Sequence, residues 1–318
     1  MMANEALDTK VLNEEQILDT RGAGNDEKSF KAKFILTIRR IIAYTVLGIL
    51  ALMCIFTVYV LIINATRTSA QIQTSFSFIP GTNFAKNWKN LQECGFPVIR
   101  NFINSFIISF LSATLCVYFS ALTAYGIHMY NFKLKRIAFM FILLVMMVPS
   151  QVGAVGLIKM CNDIGFTTAS NPIVVYMPLV LPSIASPIVF FYIKQYLESI
   201  LPKEMVEAAR VDGAGELRIF HGMVLPILKP ALAIQFIFSF VSSWNNYFIP
   251  QLLLAQKGND YKTIPLILAL LKDQSNPLSF DLGRVYMLML LAIVPLLIVY
   301  LVLSNFIIKN LTSGSVKG

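Results

Sequence analysis

Charge is what this sequence has least of. Of its 318 residues only 14% are Asp, Glu, Lys or Arg, little more than half of the share of about 25% that a soluble domain carries. Apolar residues make up 56% and the mean hydropathy is +0.68, so a soluble enzyme is the first class excluded. Histidine is nearly missing too. His128 and His221 are the only two, and neither stands in an H-E-x-x-H or comparable spacing. No G-x-x-x-x-G-K-[ST] phosphate loop occurs, so the chain does not hold ATP in that manner. Cys54, Cys94, Cys116 and Cys161 form no C-x-x-C pair and read as small buried hydrophobes. No cluster of metal-ligating side chains suggests a metal site. Acids and bases are missing from the middle of every long apolar run, where proton relays and ion-coupled carriers place them. Energy for uphill transport would then have to reach the chain from outside.

What the sequence does have is apolar length. Six runs, at about 41–63, 102–127, 137–158, 173–193, 231–255 and 285–308, contain no Lys, Arg, Asp or Glu. Each is close to the ~20 residues an α-helix needs to cross a ~30 Å hydrocarbon layer. A charge at the centre costs about 2.5–3.5 kcal/mol on the insertion scale, and each Leu, Ile, Phe or Val returns about 0.3–0.6. The expected fold is therefore all-α, a polytopic membrane protein with six spans and both termini on one side. Most basic residues fall in the N-terminal stretch and in the loops carrying Lys133, Lys135 and Arg136, and Lys194, Lys203, Arg210, Arg218 and Lys229. The positive-inside rule places those segments, and both termini, in the cytoplasm. The net charge of +9 thus reflects membrane orientation and not nucleic-acid binding. The first run is too long and too far from residue 1 for a cleaved signal peptide. Residues 1–36, with Glu5, Asp8, Glu14, Glu15, Asp19, Asp26 and Glu27 against a few bases, show no apolar periodicity and are expected to be a mobile tail. Residues 37–318 then form the membrane domain. Cys94 and Cys161 share the outer side, where a disulfide is chemically possible.

The segment between the fourth and fifth spans, residues 201–230, is punctuated like two short helices. Pro202 suits a first helical position with Glu204 in the first turn, and Met205, Ala208 and Ala209 share a face. Asp212-Gly213 supplies residues that end a helix in a left-handed turn. A second helix, from about Gly215 to Val224, presents Leu217, Phe220 and Val224 and is expected to close at Pro226. Here the residues carry a resemblance. Glu207-Ala208-Ala209, Asp212-Gly213-Ala214, Ile219 and Leu225-Pro226 resemble the EAA loop of the membrane subunits of binding-protein-dependent ABC importers. Gly215 departs from the Ser or Thr common at that cap, and Gly is a weaker cap. The resemblance implies that this loop docks in a cleft of an ATPase subunit. Glu207, Ala208, Ala209, Asp212, Gly213 and Pro226 would form the coupling joint, and Leu217 and Phe220 would fill the cleft.

The C-terminal residues 311–318, with Gly314 and Lys317, are similar to the tail of maltose-type, MalG-like permeases, which reaches into the ATPase dimer interface. Asn310, Ser313 and Ser315 depart from that pattern. Asn104-Ser105 and Trp244-Asn245 extend the likeness over most of the chain from about residue 40. Its implied partners are a second, MalF-like permease, two ATPase subunits that hold ATP and Mg2+, an extracytoplasmic solute-binding protein and the lipid bilayer. No cofactor is expected in the chain itself.

Independently of that resemblance, span four carries Pro178, Pro182 and Pro187, each of which removes a backbone donor and favours a kink. In span five, Gln235, Ser239, Ser242 and Asn246 fall on one face at 100° per residue. These uncharged hydrogen-bonding groups suit hydroxyl-rich solutes, although such residues also serve as glue between helices. A neutral sugar or oligosaccharide is the expected cargo. The alternatives are an ABC importer of a polyamine, phosphate or amino acid, or an ion-driven carrier or membrane enzyme. Gly126, Gly153 and Gly156 are expected to permit close helix packing, and the abundant Phe and Met to be ordinary apolar surface.

Overall fold

The computed structural model describes the backbone of residues 2–272 and 280–314, and the side chains of 34–149, 151–272 and 280–304. The described residues hold fourteen α-helices and no strand. They divide into two units, Met1–Leu61 and Ile62–Gly318.

The first unit is most of α1 (Met2–Ala65). The polar stretch expected to be a mobile tail is instead the start of this same helix. An α-helix satisfies its backbone within its own segment, the stretch contains no proline, and Ala, Leu, Glu, Gln and Lys are good helix formers. From Phe34 to Ala65 the helix is long and apolar enough to cross a membrane.

In the second unit, α2 (Ser69–Thr74) and α3 (Phe84–Gln92) lead into α4 (Val98–Met129). With 32 residues and no internal proline, α4 is about 48 Å long. One stripe of it is small: Ser105, Ser109, Ser112, Ala113, Cys116, Ser120, Ala121 and Ala124 are all buried, which lets neighbouring helices approach closely. The third apolar run is broken, into α5 (Lys135–Met146) and α6 (Ser150–Ile164). Pro149 has extended backbone and caps α6, because a proline cannot continue the hydrogen-bond ladder from the turn before it. The fourth run is α7 (Pro172–Val180), a 3-10 turn Leu181–Ile184 and α8 (Pro187–Ile200), bent by 41° where the prolines concentrate.

Two short helices, α9 (Lys203–Val211) and α10 (Glu216–Ile219), precede α11 (Leu225–Trp244). The second helix does not close at Pro226. Phe220–Val224 forms one π turn in which the Leu225 N–H donates to the Phe220 carbonyl. The widened turn brings Pro226 in at the start of α11, where its missing N–H costs little. Glu216–Trp244 is therefore one continuous helical rod, set toward its N-terminus relative to the expected fifth span. Beyond it lie α12 (Phe248–Leu254), α13 (Ile264–Leu271) and α14 (Leu282–Gly314). Among the described residues four helices could cross a membrane, or six if each bent pair is one span.

Aromatic rings set the register of α4 against α11. Phe236, Phe240 and Trp244 stack at successive i, i+4 positions, with centroids 6.3 and 5.9 Å apart. Phe110, Phe106 and Phe102 of α4 meet them edge-on at 5.6, 5.9 and 5.6 Å. Such pairs contribute about 0.5–1.5 kcal/mol each beyond area burial. Trp244 also donates its indole N–H to the Ala292 carbonyl of α14, at 3.1 Å. The phenylalanines expected to be ordinary apolar surface thus include a specific zipper.

The end of the molecule opposite α9 and α10 is held by polar contacts between distant segments. Asp281 accepts hydrogen bonds from Ser69 and Asn90, at 2.6 and 2.9 Å. Asn87 donates to the Ala65 and Arg67 carbonyls. Gly283 is required here, since a Cβ would lie 2.6 Å from the Asn87 side chain. At Gly126, Gly153 and Gly156 a Cβ would meet no described atom of a neighbouring segment of this chain within 4 Å, so the close packing expected of them is not made among the chain's own described helices. Cys94 and Cys161 are free thiols.

Candidate functional site: an uncharged cavity and a two-helix knob

A cavity of about 1360 Å³ is walled by α4, α6, α7, α8 and α11. The hydrogen-bonding residues singled out in span five, Gln235, Ser239, Ser242 and Asn246, all line it. Gln235 is largely buried. Ser239 lies 3.6 Å from the Cys116 thiol. Asn246 stands beyond the end of α11, so its place on this wall comes from the Asn245 cap and not from helical periodicity. Its side-chain oxygen accepts from the Ile249 N–H at 3.4 Å.

Sequence reasoning missed the other walls. Ser112 and Cys116 come from α4, Ser183 and Ser186 from the broken span, and Tyr192, Gln195 and Tyr196 from α8. The small-residue stripe of α4 and the i, i+3, i+4 spacing of the α8 trio were available signals. The three prolines of the fourth run also line the cavity, so the bend forms part of its wall. No Asp, Glu, Lys, Arg or His is among the described lining residues. With serine hydroxyls, the three carboxamides of Gln195, Gln235 and Asn246, and the Tyr192, Tyr196 and Phe238 rings, the cavity can offer hydrogen bonds and aromatic faces, but no formal charge.

At one end, α9 and α10 fold into a knob. α9 ends in a Schellman turn: Ala214 N–H donates to the Ala209 carbonyl, Gly213 N–H to that of Arg210, and Gly213 takes φ +81°. Val206 and Ala209 face inward with Ala214, Ile219, Phe220 and Val224 onto the end of α4. Glu207, Ala208 and Asp212 point outward. Met205, Val211 and Leu217 are also exposed, the last at 67%. Ala209 therefore turns away from the face it was expected to share with Met205 and Ala208. Phe220 is fully buried, with its ring 5.6 Å from that of Tyr125. In place of the expectation that Phe220 fills a partner's cleft, it belongs to the chain's own core, and Leu217 is the apolar side chain left outside.

One ion pair within the knob, and two contacts from it to the end of α4, tie these parts together. Arg210 Nε donates to Glu216 at 2.6 Å, and the Tyr125 hydroxyl donates to the other Glu216 oxygen at 2.7 Å. The Arg210 guanidinium lies 5.3 Å from the centre of the Tyr130 ring. The Glu216 carboxylate holds the Arg210 guanidinium above its already high ordinary range. His128 Nε2 lies 3.2 Å from the Leu201 carbonyl at the knob's entrance. Arg210 and Glu216 are part-exposed, so the pair itself adds no more than about 1 kcal/mol to stability. Its contribution is geometric. Of the C-terminal residues singled out, Gly314 ends α14, and Lys317 lies outside the described residues.

Comparison with known proteins agrees with this geometry. Residues 116–313 match the family described as binding-protein-dependent transport system inner membrane component. The chain is 30% identical to the arabinooligosaccharides transport system permease protein AraQ of Bacillus subtilis, over 85% of this chain and 92% of that protein. It is 30% identical to the lactose transport system permease protein LacG of Rhizobium radiobacter, over 88% and 99%. It is also 28% identical to the sn-glycerol-3-phosphate transport system permease protein UgpE of Yersinia pestis, over 86% and 96%. Among solved structures, a chain of a bacterial ABC transporter involved in the import of the acidic polysaccharide alginate superposes with a TM-score of 0.68 at 20% identity. That likeness covers 84% of this chain and 96% of the other, and speaks to the fold.

Proposed function

The chain belongs to the family of binding-protein-dependent transport system inner membrane components, and from that premise we propose that it is the permease subunit through which an ABC importer passes a neutral sugar or oligosaccharide. The observation that carries the reading is the cavity. It is about 1360 Å³ in volume, carries no charged side chain among its described lining residues, and is bordered by serines, carboxamides and aromatic rings. A hydroxyl-rich solute exchanges water hydrogen bonds for such groups with little desolvation penalty, whereas an unpaired charge entering the same space would lose its hydration without a partner. Two of the relatives carry sugars by name, and the chain's uncharged wall favours that class over the phosphorylated solute of the third.

The knob is the coupling element in this reading. Glu207, Ala208, Asp212, Met205, Val211 and Leu217 present a mixed polar and apolar surface to an ATPase subunit. That subunit and its twin hold ATP and Mg2+ and supply the energy this chain has no means to generate. The knob, the N-terminus and the C-terminus face the cytoplasm, and Lys317 and Gly314 reach the ATPase pair. A second, MalF-like permease completes the membrane domain, and an extracytoplasmic binding protein delivers solute to the opposite end.

The test is ATPase activity of the detergent-purified complex, expressed with its neighbouring genes, with and without the binding protein and a panel of neutral sugars. Stimulation by the binding protein with one sugar is the expected result. Flat activity together with failure to co-purify an ATPase subunit would sink the assignment and return the choice to an ion-driven carrier or membrane enzyme.

A further inference from the structure

The knob is attached to the membrane helices in two different ways. Along the chain it is entered from α8 through Leu201-Pro202 and left through the π turn into α11. Across space it is gripped by the last turns of α4. Tyr125 reaches Glu216 at 2.7 Å, Glu216 holds Arg210 at 2.6 Å, and His128 reaches the Leu201 carbonyl at 3.2 Å. These contacts seize the knob at both its entrance and its central turn. Tyr125 is almost wholly buried, so the hydroxyl that links the ion pair to α4 is fixed by the packing around its ring. Behind Tyr125, the same unbroken helix carries Ser112 to the cavity wall, 13 residues and about 20 Å away.

Resting on the permease reading above, we propose that Tyr125, Glu216 and Arg210 are positioning residues that make the knob and α4 one rigid body, so that a displacement of the knob by its partner reaches the cavity wall through α4. The apolar contacts of Val206, Ala209 and Ile219 keep the knob folded and attached, but they are non-directional and permit sliding. The clasp prevents sliding because its hydrogen bonds have fixed partners and angles. Tyr125→Phe is the most selective probe. It removes one oxygen, leaves the ring packed, and leaves the Arg210–Glu216 pair intact while removing its buried hydrogen bond to α4, so that the pair keeps only its contact with the Tyr130 ring at the end of that helix.

The experiment uses the assembled complex in nanodiscs, with the four native cysteines replaced and spin labels at Glu204→Cys in the knob and Thr114→Cys in α4. In the otherwise native chain the label distance is expected to stay constant between nucleotide-free and ATP-bound states. In Tyr125→Phe, and in Glu216→Gln, it is expected to change or broaden. Stimulation of ATPase by binding protein and sugar should fall about tenfold, while basal ATPase and co-purification persist. A distance that already changes in the native chain, or a Tyr125→Phe complex with native distances and native stimulation, would overturn the proposal. If Glu216→Gln fails to assemble, Tyr125→Phe decides alone. Failure of the permease reading itself shows earlier and separately, as the absence of any ATPase subunit in the native preparation.

Discussion

Two membrane-spanning parts of this chain are built on opposite principles. The α4–α11 pair is held by rings meeting rings along three successive turns, with Trp244 anchored to the α14 backbone. The α7–α8 span has prolines at three places, a 3-10 segment and a 41° bend, and all three prolines line the cavity. Both border the same space, so the cavity has one wall that resists deformation and one that has few hydrogen bonds to lose when it deforms. The knob lies between α8 and α11 in the chain, where the stiff part and the hinged part meet. A transporter needs both: a rigid lever to carry displacement and a wall able to rearrange around the solute.

The strongest way to break the contrast is to remove the anchor of the zipper. Trp244→Ala is expected to lower stability by about 3–5 kcal/mol, the range for deleting a buried large aromatic, measured as the unfolding midpoint of the purified complex in detergent. A loss below about 1 kcal/mol would mean that the zipper does not hold α4 to α11. Next comes the joint between the two parts. Gly213→Pro forbids the φ of +81° and removes the N–H that closes α9 on the Arg210 carbonyl, a local cost of about 3 kcal/mol. Membrane insertion should survive, and solute-stimulated ATPase should be lost. Wild-type uptake by this variant would disprove the coupling role of the turn.

A smaller effect tests whether α14, the third partner of the stiff pair, needs its own anchor. Burial alone would raise the Asp281 carboxyl, but hydrogen bonds from Ser69, Asn90 and the Arg284 and Gly283 N–H groups outweigh it and leave the group below its ordinary value. Because the folded value is the lower one, the resulting stability is present above the unfolded value of about 3.9 and is lost as pH falls through the folded value. Asp281→Asn should cost about 1–3 kcal/mol at neutral pH, and its deficit should close in acid below about pH 4. Equal deficits at pH 7 and pH 3 would contradict the assignment. The smallest expected change lies in the hinged span. Pro182→Ala restores one N–H at the start of the 3-10 turn and should shift stability by less than about 1 kcal/mol, while slowing uptake several-fold as the wall stiffens. Unchanged uptake would show that the bend is not used.

The segments long and uncharged enough to cross a membrane, the proline-broken span and the two-helix knob were all legible in the amino-acid sequence, because each rests on a local property: apolar length, a missing N–H, or a turn that suits glycine. The face made of Gln235, Ser239 and Ser242 was legible for the same reason, since helical periodicity follows from backbone geometry alone. What local rules could not supply was partner choice. Phe220 and Leu217 are both apolar residues of the knob, and only the packing of Tyr125 and Val206 around Phe220 made one of them core and the other surface. Pro226 looks like a helix terminator until the π turn ahead of it supplies a wider ladder. Phe102, Phe106 and Phe110 are indistinguishable from lipid-facing residues until α11 is laid against them. The Arg210–Glu216 pair lies six residues apart in sequence, yet its meaning depends on Tyr125, which is far away along the chain. Apolar patterning is indifferent to which neighbour buries a side chain, so the sequence determined which segments enter the membrane, and only tertiary packing decided which of their faces became cavity, zipper and clasp.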